Sequence, residues 1–313
     1  MILVTGGLGF IGSHTVASLL KSGNDVVATR YRSGRMPSFL ADKKFAIETV
    51  DVAGPHAIIE VARKHKITSI IHLVVTPLGQ LSPAEDYRLN MSGLINVLEA
   101  GRIAGVKRIS IASSSSIYGG VASGPYREDM PLRVQGAHPT EAFKKTFEVL
   151  GRHYGDRTGI KVVCLRIGNV WGPVYHSMNN LASRLAHAAA KGQAAPLPRP
   201  NGRPDFAGDA LDAIYVKDCA EGIRLVHTAP KLDHAVYNIG GGRFATGADF
   251  AAAIKKAVPG IAVTLQPGSG PDNRGDNPMM DLSRVAALGY RPTFGVDDGM
   301  ADYVAWLRAG NAF

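Results

Sequence analysis

The chain has 313 residues, 45% of them hydrophobic and 19% charged, which is enough to bury a sizeable core. Its formal charge of +9 is scattered, with no basic helix and no aromatic-basic ladder, so nucleic-acid binding is not expected and acidic cofactors or substrates suffice as partners. Cys164 and Cys219 sit in apolar runs without metal-ligand or C-x-x-C spacing, so buried, reduced thiols are expected, with no disulfide and no metal site.

The opening MILVTGG has no basic leader, and no apolar run of about 18 residues occurs later; a cytoplasmic, soluble protein that does not engage membranes is expected. Strand-like runs follow in order at 1–5 (MILVT), 25–30 (DVVATR), 45–50 (FAIETV), 67–75 (ITSIIHLVV), 106–113 (VKRISIAS) and 160–167 (IKVVCLRI). Helical patterns such as HTVASLLKSG and HAIIEVARKH separate them, and this alternation predicts parallel strands with crossover helices in an α/β fold. LNMSGLINVLEAGRIAGV and the stretch from Thr140 to Gly155 carry apolar residues at helical spacing and end at glycines, which predicts two long amphipathic helices.

After Gly172-Pro173 the texture changes to loops and helices, with the Pro/Gly-rich PLPRPNGRPDFAGD as an exposed segment over a cleft. IYVKDCAEGIRLVH and AVYNIG predict a helix and a strand that return to the first unit, and the tail from Phe244 completes a smaller cap. The expected division is a dinucleotide-binding domain over 1–168, rejoined by 209–240, and a smaller substrate-binding domain from 169–208 and 241–313.

The most specific local signal is TGGLGFIG, with Gly6, Gly9 and Gly12 directly after a predicted strand and at the start of a helix near Phe10. Glycines there allow the tight turn, the approach of a pyrophosphate to the backbone and close helix-strand packing, while the helix N-terminus offers amide donors. At the end of the second strand an acidic residue would bind the adenosine ribose hydroxyls, but the sequence has Arg30, followed by Arg32 and Arg35. Guanidiniums suit a 2′-phosphate, which favours NADP over NAD as the cofactor; a solvated basic loop is the alternative. Asp51-Val52, after the third strand, is placed for the adenine edge, and Asp51 could equally cap a helix.

Taken together, TGGLGFIG, IIHLVV, Asn90, SSSSIYG, LRIGNVWGP, AIYVKDCAEGI, YNIGGG and LGYRP resemble the extended short-chain dehydrogenase/reductases, the NAD(P)-dependent epimerase/dehydratase family, over nearly the whole chain. The resemblance implies a doubly wound parallel sheet of Rossmann type with a smaller C-terminal substrate domain. It also implies cofactor contacts from Phe10, Ile11, Leu73 and Asn90 beside those already named. In such proteins a Ser or Thr stands four residues before a Tyr-Gly pair, and a Tyr-x-x-x-Lys lies on a long helix. Counting from Tyr118-Gly119 gives Ser114, with Ser113 and Ser115 as neighbours and Ser115 as a substrate contact.

The matching lysine is Lys144, because Glu148 follows it by four residues and Pro139 precedes the motif; the position of the Tyr is then Thr140. Taking Lys145 instead puts Glu141 there, which does not restore the phenol. A Thr hydroxyl is a poor base, and losing the phenol costs about 10²- to 10⁴-fold in rate. His138, Tyr118, Tyr126, Tyr175 and Lys144 itself are candidate substitutes, with the nicotinamide ribose as the conservative partner of Lys144.

On the substrate side, Leu211-Asp212 stands where related sugar-nucleotide enzymes often carry Arg-Asp, so a phosphate-clamping Arg is missing. Asn169 and Arg274 are candidate substrate contacts. The expected function is an NAD(P)-dependent epimerase/dehydratase-like oxidoreductase acting on a sugar, sugar-acid or nucleotide-sugar. A non-catalytic dinucleotide-binding sensor or partner protein is the rival, motivated by Thr140 and Leu211. The resemblance also implies a homodimer built on the two long helices.

Overall fold

The structure is a computed structural model that describes residues 1–32, 35–75, 81–121, 123–271 and 279–311. Its first half alternates strictly: β1 (Ile2–Thr5), α1 (Phe10–Lys21), β2 (Val26–Arg30), β3 (Ala46–Thr49), α2 (Pro55–Lys64), β4 (Ser69–His72), α3 (Pro83–Ala104), β5 (Arg108–Ser114), α4 (Pro139–Thr158) and β6 (Lys161–Ile167). A short 3₁₀ turn over Ser115–Tyr118 follows β5. The second half runs β7 (Asn169–Trp171), α5 (Leu181–Ala190), β8 (Ala210–Tyr215), α6 (Val216–Thr228), β9 (Val236–Ile239), β10 (Phe244–Thr246), α7 (Gly247–Ala257), α8 (Ser283–Ala286) and α9 (Val296–Arg308).

Seven parallel strands form one sheet in the order β3-β2-β1-β4-β5-β6-β9. Their β-branched residues are buried on both faces, under α1 and α6 on one side and α2, α3 and α4 on the other. The chain winds outward from β1 in one direction and from β4 in the other, so the crevice between the C-terminal ends of β1 and β4 is the topological switch point. The long α3 begins earlier than its apolar pattern suggests. Ser82 and Glu85 form a capping box ahead of Pro83, and Gly105 ends the helix at φ 70°.

Where the sequence predicts loops and helices after Gly172, the structure has a second sheet in the order β10-β8-β7, with β7 just before Gly172 and β8 and β10 beyond it. Its strands β7 and β10 have only three residues each, too short for a period-2 signal to register. Residues 210–215 pair with β7 and β10, and the chain returns to the large sheet through α6 and β9. The small sheet packs with α5, α7 and α9 around Trp171, Tyr215 and Phe250. Among the described residues, no helix is long and apolar enough to cross a membrane.

Candidate active site

The phosphate loop lies at the switch point. Gly6 adopts φ +69°, and a Cβ on Gly12 would sit 2.0 Å from the Gly6 carbonyl oxygen, so the loop can close onto the helix only with glycine at Gly12. Gly7, which the glycine spacing did not single out, presses on β2; a Cβ there would lie 2.6 Å from that of Ala28. No side chain caps α1 and no acidic residue occupies its first turn. The first N–H groups of the helix, which lack intrahelical acceptors, are thus left for an anion, and the cradle fits a dinucleotide pyrophosphate.

The other expected cofactor residues divide. Leu73 follows β4 beside the loop, with its N–H 3.4 Å from the Thr5 carbonyl oxygen, and Val52 is buried against Gly93 of α3. Asp51 accepts from the Ala53 N–H at 2.9 Å, a local turn that leads into α2. Asn90 is buried and donates to the Asp86 carbonyl one turn back in its own helix. Arg30 donates through Nε to Thr49 Oγ1 at 3.2 Å, while the Arg32 guanidinium lies 4.9 Å from the ring of Tyr31.

The candidate catalytic residues come from β5 and α4. Because α4 is the crossover between parallel strands, it runs antiparallel to them and brings its N-terminus to the edge where β5 ends at Ser114. Thr140, Lys144 and Glu148, spaced by four, share one face of this helix. Two of the three are fixed to β5. Lys144 Nζ donates to the Ala112 carbonyl at 2.6 Å, and Glu148 Oε1 accepts from Ser113 Oγ at 2.5 Å. Thr140 therefore sits one turn nearer the strand ends than Lys144, half-buried, on the side where Ser114 Oγ accepts from the Ser116 N–H at 3.1 Å. Burial pushes the Lys144 ammonium down to about 7, although the charge of Glu148 opposes the shift.

The candidate substitutes for a phenolic base fare unequally. His138 is the N-cap of α4, and its Nδ1 accepts from the Thr140 N–H at 3.2 Å. Tyr118 is buried, with its hydroxyl donating to Asn238 Oδ1 at 2.7 Å and accepting from Arg166, and burial raises its pKa further. Tyr126 stacks on Tyr118 with centroids 4.6 Å apart, and Tyr175 meets Phe10 of the phosphate loop edge-on at 5.0 Å. Glu141 is buried, paired with Lys145 at 2.6 Å and packed against Gly119.

Two features were not legible from spacing. Glu148 takes both guanidinium arms of Arg166, at 3.0 and 2.9 Å, which anchors α4 to β6. Asp212 is buried where β6 and β9 end and accepts N–H bonds from Gly241 and Met280, each at 3.1 Å; burial raises its pKa. Asn169 is exposed and reaches the Asp212 carbonyl at 3.4 Å, Ser115 is half-buried in the turn after β5, and Leu211 is half-buried in β8. Arg274 lies outside the described residues.

A seven-stranded parallel sheet carrying a glycine cradle at its switch point defines a Rossmann-type dinucleotide-binding protein. The chain belongs to the NAD dependent epimerase/dehydratase family, whose sequence model matches residues 2–240, and hence to a group of enzymes. A UDP-glucose 4-epimerase of Erwinia amylovora is 30% identical over 333 aligned residues, covering 97% of each chain. A dTDP-glucose 4,6-dehydratase of Streptomyces griseus is 26% identical, over 98% of this chain and 94% of that one. The structure of a Thermus thermophilus UDP-glucose 4-epimerase in complex with NAD superposes with a TM-score of 0.82 at 28% identity, over 98% of each chain.

Proposed function

We propose that the protein is an NAD(P)-dependent epimerase or dehydratase acting on a nucleotide-sugar, with Thr140 at the position of the family's acid/base tyrosine. The observation that carries this reading is the face of α4 on which Thr140, Lys144 and Glu148 align, held to β5 through Ala112 and Ser113 beside Ser114. The choice of a nucleotide-sugar rests on the activities for which the full-length relatives are named; a sugar or sugar-acid without a nucleotide is the variant that Leu211 favours.

When bound, the nicotinamide supplies the hydride acceptor. Ser114 polarises the reacting oxygen through its hydroxyl, and Asn169 and Ser115 contact the substrate. Lys144, whose ordinary cationic form is weakened by burial, holds the nicotinamide ribose and is the group able to take the substrate proton, directly or across the Thr140 hydroxyl. Loss of the phenol predicts slow turnover. The basic residues after β2 favour NADP over NAD, and the exposed apolar residues of α3 and α4 support a homodimer.

The test is absorbance of the reduced nicotinamide during single turnover of the dinucleotide-loaded protein with UDP-glucose, UDP-glucuronic acid and dTDP-glucose. A transient keto-sugar or reduced cofactor supports the reading. No turnover of any of these despite tight dinucleotide binding favours the non-catalytic sensor.

A further inference from the structure

Ser114 opens a short turn, and the chain on either side of it is tied to one buried guanidinium. Before it, the Ser113 hydroxyl donates to Glu148 Oε1 at 2.5 Å, and that carboxylate takes Nε and Nη2 of Arg166 at 3.0 and 2.9 Å. After it, Tyr118 closes the 3₁₀ turn, and its hydroxyl accepts from Arg166 Nη1 at 2.9 Å. Both routes end on Arg166.

A guanidinium is planar, with its donors in a rigid fork, so it sets the separation of the groups that it joins. Arg166 is itself held in place: it is 3% exposed on β6, in register with Ser113 of β5. Tyr118 is fully buried, stacked on Tyr126, and its hydroxyl donates to Asn238 Oδ1 at 2.7 Å. Between these anchors Ser114 Oγ accepts from the Ser116 N–H at 3.1 Å, so the place of the hydroxyl follows from the turn and the turn follows from its ends. The carboxylate on the first route also lies one helical turn from Lys144, whose Nζ donates to the Ala112 carbonyl at 2.6 Å. One side chain thus sets both reacting partners against each other. A misplacement of about 1 Å at a reacting group can cost about 10²-fold in rate, even when its source is remote.

We infer that Arg166 is a positioning residue, which acts through Glu148 and Ser113 on one side and through Tyr118 on the other to hold Ser114 in line with Lys144 for the reaction. The inference rests on the catalytic reading of Ser114 and Lys144 above and adds to it the residue that aligns them.

The experiment compares three variants of the full chain. Tyr118→Phe removes one hydroxyl and keeps the stacked ring; Arg166→Lys keeps the charge and loses the fork; His227→Gln changes a buried group that contacts Ser110, earlier on β5, and Ser69. For each, kcat and KM are measured on UDP-glucose and dTDP-glucose, and hydrogen exchange of the peptide 113–121 is followed by mass spectrometry. Tyr118→Phe and Arg166→Lys are expected to lower kcat about 10- to 100-fold with KM within about twofold of the wild type. Both should also speed exchange of that peptide by about 10-fold, because the turn is released at one end. His227→Gln should leave kcat and this exchange as in the wild type, whatever it does to the melting temperature. A wild-type kcat in Tyr118→Phe, or an equal loss of kcat in His227→Gln, overturns the inference. If the wild type turns over neither sugar, the catalytic reading fails and the exchange decides alone: faster exchange of 113–121 in Tyr118→Phe upholds the hold of Arg166 on the turn, and unchanged exchange overturns it.

Discussion

Glu148 of α4 and Arg166 of β6 form a buried two-pronged ion pair, and Ser113, the neighbour of Ser114, donates a third bond to the same carboxylate. Arg166 also reaches the Tyr118 hydroxyl, which in turn bonds Asn238, so one network joins α4, β6, the turn after β5 and β9. Removing the carboxylate strands a buried guanidinium. Glu148→Ala is expected to lower stability by about 3–5 kcal/mol, and Arg166→Met in the same background should restore part of it. Urea denaturation of Glu148→Ala, Arg166→Met and the double variant checks this; an additive loss in the double variant would show that the pair is not coupled.

Thr140 allows a gain-of-function test. Thr140→Tyr places a phenol one helical turn from Lys144, whose ammonium can stabilise the phenolate. Single-turnover rates on a substrate of the wild type are expected to rise about 10²- to 10⁴-fold with little change in KM. An unchanged rate would mean that proton transfer does not limit the reaction at this position.

These relationships show what a sequence can and cannot reveal. The seven strands of the large sheet follow from β-branched runs such as VVATR and KVVCLRI, and the phosphate loop from three glycines at fixed offsets, because each signal is local. The pairing of Glu148 with Arg166, and the contact of Lys144 with Ala112, join residues 18 and 32 positions apart, and only the fold selects them among many polar alternatives. His138 reads in sequence as a candidate base, and the structure shows it as the N-cap of α4, its Nδ1 accepting from the Thr140 N–H.

Lys144 carries a pH signature. Its folded pKa, about 7, lies below its unfolded value, so the unfolded chain holds more protons between the two and stability rises with pH across that window. Below about pH 7 the charged amine is buried at a cost, which an apolar replacement avoids. Lys144→Met is therefore expected to be more stable than the wild type at ~pH 6, with the advantage shrinking toward ~pH 10, while its dinucleotide affinity falls. Thermal denaturation across this range, paired with NADH titration, checks both halves.

Three buried imidazoles act in the same sense at lower pH. Burial lowers His14 to about 4 and His72 and His227 to about 3, and the charges of Lys144 and Arg108 add to the shift at His72 and His227 respectively. His227 is held between Ser110 and Ser69, at 2.8 Å from each hydroxyl. Their stabilising contribution is complete above the unfolded value of 6.5 and is lost as pH falls toward the folded values. Each contributes a slope of up to about 1.4 kcal/mol per pH unit in that window. His227→Gln should flatten the stability-pH curve below ~pH 6 by close to one proton, whatever its effect at neutral pH. An unchanged slope would show that His227 takes up its proton in the folded protein.

The exposed side chains of α3 and α4 bear on assembly. Tyr87 and Ile95 on α3 are 58% and 48% exposed, and Val149 on α4 is 68% exposed beside Leu150. The two helices lie side by side, joined by the Tyr154 hydroxyl donating to Glu99. A second copy of that pair, apposed to the first, would bury them in a four-helix contact. The wild type is expected to sediment as a dimer. Val149→Glu combined with Ile95→Glu should yield a folded monomer that still binds dinucleotide, because neither residue touches the phosphate loop. A wild type that sediments only as a monomer at working concentration would leave this face without the partner assigned to it.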